Sequence, residues 1–186
     1  WDALNALSAE DREAGLQAIF GKDGACFDYC RLPMGANDFA MSFYSSADVA
    51  GDFNLVNFNI DRDRYILIPY IKAARQINPD LRIWASPWCP PPWMKTNNHY
   101  ASAVRPSGEK DVNGLLPCEA IAEFSTGFRM EEGYLKTYAD YFARFIKAYE
   151  AEGLPLECIH VQNEPCSNQV FPSFKWRTED LTFFLG

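Results

Sequence analysis

Strand-like and helix-like stretches alternate along this chain, and few folds accept that order. The strand-like stretches are Cys26–Met34, Leu81–Ser86 and the run Ile159-His160-Val161 that leads into Gln162-Asn163-Glu164-Pro165. β-branched Ile159 and Val161 suit a strand, and Pro165 stops one. Ser8 can cap a helix with Glu10 and Asp11 in its first turn, Leu16, Ile19 and Phe20 on its apolar face, and Gly21 and Gly24 at its end. A second helix is expected from Pro69, with Ile71, Ala74 and Ile77 facing the core and Asn78-Pro79 closing it. In the third, Tyr134, Tyr138, Tyr141, Phe142, Phe145, Ile146 and Tyr149 recur at helical spacing. Such a stripe could serve a ligand, but packing against a sheet is the ordinary use of it. Thr178-Glu179-Asp180 reads as the cap and first turn of one more helix. Alternation of this kind implies right-handed βαβ crossovers and three parallel, adjacent strands in chain order. The class is α/β.

Two stretches lack periodicity. Gly35 to about Asn59 is polar and aromatic, containing Asp38, Phe39, Tyr44 and Asp48, and loops of that length are usually functional or disordered. Its aromatics argue against disorder. Lys95–Met130 is expected to be an excursion over one face.

Charge narrows the partners. Net charge is −8 over 186 residues, with a pI near 4.8, so nothing would neutralise phosphates and a nucleic-acid partner is disfavoured. No apolar run has the length of a membrane span, and Trp1-Asp2-Ala3-Leu4-Asn5 shows no signal peptide. Six Cys and two His without a C-x-x-C pair give no metal site, and no cofactor is implied. Cys26 and Cys30 bracket a strand of about 13 Å, too long for a disulfide. Buried free thiols are expected for most of the six.

Ligands of parallel α/β folds bind at the carboxyl ends of strands. Three such ends carry Arg31-Leu32-Pro33-Met34, Ser86-Pro87-Trp88 and Asn163-Glu164-Pro165. Glu164 is there either to meet a substrate or as a solvated loop carboxylate. Trp93 could touch ligand or form a wall, and Lys95, Thr96 and Asn97 could simply fix their loop. His160 reads as a hydrogen-bonded core residue.

Together with Trp93-Met94-Lys95-Thr96-Asn97, these strand ends resemble glycoside hydrolase family 30, from the first helix to the last residue apart from the Lys95–Met130 excursion. The resemblance implies a partial (β/α)8 TIM barrel, about its strands 2 to 4, with residues 1–186 a fragment of one catalytic domain. It implies a retaining two-carboxylate mechanism in which Glu164 is acid and then base, and Asn163 bonds the sugar 2-hydroxyl. Asp38 and Trp88 match positions that hold sugar hydroxyls and a ring face, Arg31 one that steadies the catalytic carboxylates. Trp176 could stack on sugar or be an exposed aromatic. The nucleophile of the family sits near the seventh strand, beyond the stretch matched here, so the chain alone is expected to be inactive. Asp38 and Glu157 are not its substitutes.

The resemblance further implies a β-glucoside or glycolipid substrate and a secreted, periplasmic or lysosome-like setting. Alternatives are an endo-β-1,6-glucanase or xylanase of the same family, or a carbohydrate-binding protein without catalysis. Oligomeric state is not legible.

Overall fold

A computed structural model of the chain describes residues 2–105 and 113–186. It divides into two compact units. The first comprises the residues up to Leu32, Ile60–Ala85 and Ile146–Ile159. The second comprises Pro33–Asn59, Ser86–Phe145 and His160–Gly186.

The chain opens with two helices, α1 (Asp2–Asn5) and α2 (Ala9–Phe20). Ser8 caps α2 as expected, its hydroxyl oxygen accepting from Asp11 N–H at 3.0 Å. Leu16 and Phe20 are buried on its inner face. Strand β1 (Tyr29–Met34) starts later than the sequence suggests, because Cys26 takes a left-handed φ of 52° and cannot extend it. Helices α3 (Asp61–Tyr65) and α4 (Leu67–Ile77) follow. Pro69 lies inside the first turn of α4, where its missing N–H costs nothing. Phe20 of α2 meets Tyr70 of α4 edge to face at 6.0 Å. Strand β2 (Arg82–Pro87) pairs with β1 in a small parallel sheet.

The third strand falls short of expectation. Glu157 N–H donates to Ile83 C=O at 2.8 Å, Ala85 N–H to Cys158 C=O at 3.1 Å, and Ala85 and Ile159 form one parallel bridge. These bonds place Glu157–Ile159 parallel to β2, on a different strand edge of the order β1–β2. No continuous ladder forms, because residues 155–160 are largely exposed and bury too little apolar surface to hold one.

Helix α5 (Glu132–Ala151) carries the aromatic stripe. In the second unit Tyr138, Tyr141 and Phe145 are fully buried, and in the first so is Tyr149, whose hydroxyl donates to the buried Asp63 at 2.8 Å. Ile146 departs from the pattern and is 38% exposed. The stripe is core. Tyr141 also accepts Ser46 N–H at 3.3 Å, and Arg144 donates to the carbonyls of Leu55 and Asn54 at 2.9 and 2.8 Å, so α5 holds the long 35–59 loop in place. The 95–130 excursion leaves and returns as a pair: Thr96 N–H donates to Gly127 C=O and Arg129 N–H to Met94 C=O, each at 2.9 Å. Helix α6 (Thr178–Leu185) closes the chain, with Arg177 rather than Thr178 at its cap.

All six cysteines are free thiols. Cys89 alone is fully buried; Cys30 is half-buried, and Cys26, Cys118, Cys158 and Cys166 are exposed, contrary to the expectation of buried thiols.

Candidate active site

β2 ends in buried Ser86 and Pro87, and Trp88 follows at 7% exposure. Two sets of bonds hold the Asn163-Glu164-Pro165 stretch to that end. Asn163 N–H donates to Pro87 C=O at 2.8 Å. The Gln162 side-chain nitrogen donates to the carbonyls of Trp88 and Asn163, each at 2.8 Å. Glu164 then turns the chain at a left-handed φ of 47°. Its carbonyl accepts Ser167 N–H at 3.0 Å, and Pro165 C=O accepts Trp176 N–H at 2.8 Å. The backbone of Glu164 is thus fixed while its carboxyl is open to solvent. A carboxyl so held can exchange a proton with a ligand above the strand end.

These bonds bring the Trp88 and Asn163-Glu164 backbones together at the end of β2. Asp38 is exposed and lines a cleft of about 270 Å³ with Asn37, Phe43, Arg105, Asn113 and Phe171. Carboxylate, guanidinium, amides and aromatic ring suit sugar hydroxyls and a ring face. Arg31 lies in the first unit, exposed on β1, its guanidinium 5.5 Å from the Trp84 ring centre.

Trp176 is neither a sugar platform nor an exposed aromatic. It is 2% exposed, stacked on Phe128 and Phe184 at 5.4 Å each and met by the edge of Phe174 at 4.7 Å. Aromatic packing has claimed its faces. Trp93 is a wall: its indole N–H is spent on Ala47 C=O at 2.8 Å, and it lines a cleft of about 340 Å³ with Asp48, Pro92 and Tyr100. Tyr100 donates to Asp48 there at 2.7 Å.

Lys95 is fully buried, and its ammonium reaches the carbonyls of Tyr100, Ala101 and Ser173 at 3.0, 3.1 and 2.8 Å. Burial pushes its pKa down, against the opposing influence of Cys89. Thr96 and Asn97 likewise bond backbone carbonyls, of Gly127 and Ala101. Lys95-Thr96-Asn97 therefore shapes the loop. His160 is exposed rather than core. Gln162 is the residue that sequence reasoning passed over; the signal was a second amide directly before Asn163-Glu164. Among the described residues no group of three His, Cys, Asp or Glu could hold a metal ion, and no helix is long and apolar enough to cross a membrane.

The sequence profile of the glycosyl hydrolase family 30 TIM-barrel domain matches residues 2–114. The chain belongs to that family. Its parallel strands and flanking helices are part of a family 30 barrel. The lysosomal acid glucosylceramidase of Mus musculus is 30% identical over 167 residues, 88% of this chain and 28% of the mouse protein. SrfJ from Salmonella typhimurium superposes with a TM-score of 0.78 at 25% identity, over 97% of this chain and 35% of that one. An endo-β1,6-glucanase superposes at 0.74 and 27% identity, over 98% of this chain and 36% of its own. This family 30 chain thus spans about a third of those structures.

Proposed function

We propose that this chain supplies the acid/base part of a retaining β-glycosidase acting on β-glucosides, with Glu164 as acid/base. The observation that carries the reading is the Asn163–Pro87 bond, which seats an exposed carboxyl at the end of a barrel strand beside Trp88. Glu164 protonates the departing glycosidic oxygen, then deprotonates the water that releases the glycosyl-enzyme intermediate. Asn163 bonds the 2-hydroxyl, and Asp38 and Trp88 contribute to sugar binding. Arg31 steadies carboxylate charge. The nucleophile is a second carboxylate, assigned to no residue of this chain.

A glucosylceramide-like glycolipid is the first substrate proposed, given the similarity to the mouse enzyme, and a secreted or lysosome-like setting goes with it. The likeness to an endo-β1,6-glucanase favours a β-1,6-glucan as the second reading.

The test uses the protein expressed from the complete reading frame. An aryl β-glucoside with a good leaving group needs little proton assistance, so Glu164→Gln is still glycosylated by it but hydrolyses the intermediate slowly. Azide needs no base, restores turnover and gives a β-glycosyl azide. An α-azide product means a single displacement and a different role for Glu164. Full activity in the variant removes Glu164 from the mechanism, and sugar binding without any hydrolysis by the unaltered protein favours the non-catalytic binder. Turnover of the glycolipid or of the glucan decides between the substrates.

A further inference from the structure

Gln162 has no role in the mechanism above, although it directly precedes Asn163 and Glu164. Its side-chain nitrogen faces two carbonyl oxygens, those of Trp88 and Asn163, each 2.8 Å away. Only the NH2 end can satisfy two acceptors, which fixes the orientation of the amide. The opposite end, Oε1, is buried and has no hydrogen-bond partner. A buried unpaired acceptor is costly, and an apolar side chain of the same size would avoid it. What the amide provides in return is a hold on one peptide plane. The carbonyl of Asn163 and the N–H of Glu164 belong to the same rigid unit. Fixing that carbonyl fixes the plane about which Glu164 turns. Glu164 has φ 47°, a value that a non-glycine residue keeps only where its surroundings impose it.

The geometry points to Gln162 as a positioning residue: its amide ties the Asn163–Glu164 peptide to the end of β2 and so aims the Glu164 carboxyl. This rests on the reading of Glu164 as acid/base. A misaimed acid penalises substrates according to how much proton help their leaving group needs. A role in packing alone penalises all substrates alike.

The experiment uses Gln162→Met, which keeps the volume without donors, and Gln162→Glu, which keeps the shape and replaces donors by acceptors. Both are made in the protein from the complete reading frame, with Glu164→Gln alongside. For each, kcat/KM is measured on an alkyl β-glucoside and on a dinitrophenyl β-glucoside, and a pH profile is recorded. The expected loss is about tenfold or more on the alkyl glucoside and less than about threefold on the dinitrophenyl one, with the alkaline limb of the profile displaced. Destabilisation does not hide the effect, because loss of folded protein lowers both rates by the same factor. Equal losses on both substrates, or none, while Glu164→Gln shows the contrast, overturn the positioning role alone. An inactive unaltered protein, or no contrast in Glu164→Gln, overturns the acid/base reading and this inference with it.

Discussion

The main-chain amide of Asn163 donates to the carbonyl of Pro87 across 2.8 Å, so a backbone bond seats the site stretch at the end of β2. Asn163→Ala keeps that bond and is expected to lower kcat/KM if its amide makes the proposed 2-hydroxyl contact. Asn163→Pro removes the N–H and strands the Pro87 carbonyl, a cost of about 1–3 kcal/mol before any clash. Denaturant melts of the two variants check the difference; equal stability means the amide bond carries no weight.

Lys95 offers a second contrast. Each carbonyl it reaches keeps another donor: Ser173 N–H for Tyr100, the Asn97 amide for Ala101, and the Ser102 hydroxyl for Ser173. Removing the ammonium therefore leaves none of them orphaned, and the burial cost of the charge goes with it. Lys95→Met is expected to cost less than about 2 kcal/mol, whereas Lys95→Ala opens a cavity and costs about 2–5 kcal/mol by the usual large-to-small range. Urea unfolding of both gives the ranking, and a larger loss for Met than for Ala refutes it.

His99 makes stability depend on pH. Burial first, and then the positive charge of Lys95, hold its imidazole below the ordinary 6.5. Its Nδ1 accepts Ala101 N–H at 3.0 Å, a bond that a proton on that nitrogen abolishes. As pH falls from 6.5, the unfolded chain binds the proton first. The contribution is thus complete above 6.5 and is lost as pH drops through the lower folded value. In His99→Asn, whose side-chain oxygen can accept the same N–H, this part of the slope should vanish. Denaturation midpoints of both proteins at about pH 5 and about pH 7.5 measure it; parallel slopes exclude His99 as the cause.

Trp176 should behave as a core residue. Trp176→Ala is expected to cost about 3–5 kcal/mol, the range for a buried large aromatic. Trp176→Phe should cost much less, because the ring stack survives and the indole N–H that disappears has no partner. A KM change on sugar substrates without a stability loss in Trp176→Ala contradicts this.

The parts of the molecule legible in the sequence were those written by a single physical rule. Ser8 announced its helix through capping chemistry, and the α5 stripe announced its buried face through period alone. The Ser86-Pro87-Trp88 and Asn163-Glu164-Pro165 ends were visible because proline marks the end of a strand. Legibility failed where a residue has more than one compatible fate. Trp176 could sit in water, on sugar or in a cluster, and the partners that decided for the cluster, Phe128 and Phe184, lie 48 residues before it and 8 after it in the chain. Ile159-His160-Val161 looked like a full strand, yet pairing with β2 stops at Ile159, because strand length depends on burial by neighbours that local composition does not record. Gln162 was hidden for another reason: an amide that bonds backbone is indistinguishable in sequence from one that faces solvent.

Glu164 itself gives the sharpest physical test. A left-handed backbone disfavours any residue with a Cβ, by about 1–2 kcal/mol, and glycine escapes that penalty. Glycine also gains more entropy on unfolding, which takes back about 0.4–1 kcal/mol. At an ordinary extended or helical position the second effect stands alone, and Gly is less stable than Ala. At φ 47° the first effect outweighs it, so Glu164→Gly should be more stable than Glu164→Ala by up to about 1.5 kcal/mol. Both variants lack the carboxyl and should lose acid/base function equally. The sign of the Gly–Ala difference in denaturant midpoint is therefore independent of catalysis. A more stable Ala variant would mean that Glu164 does not hold the left-handed turn on which its aim depends.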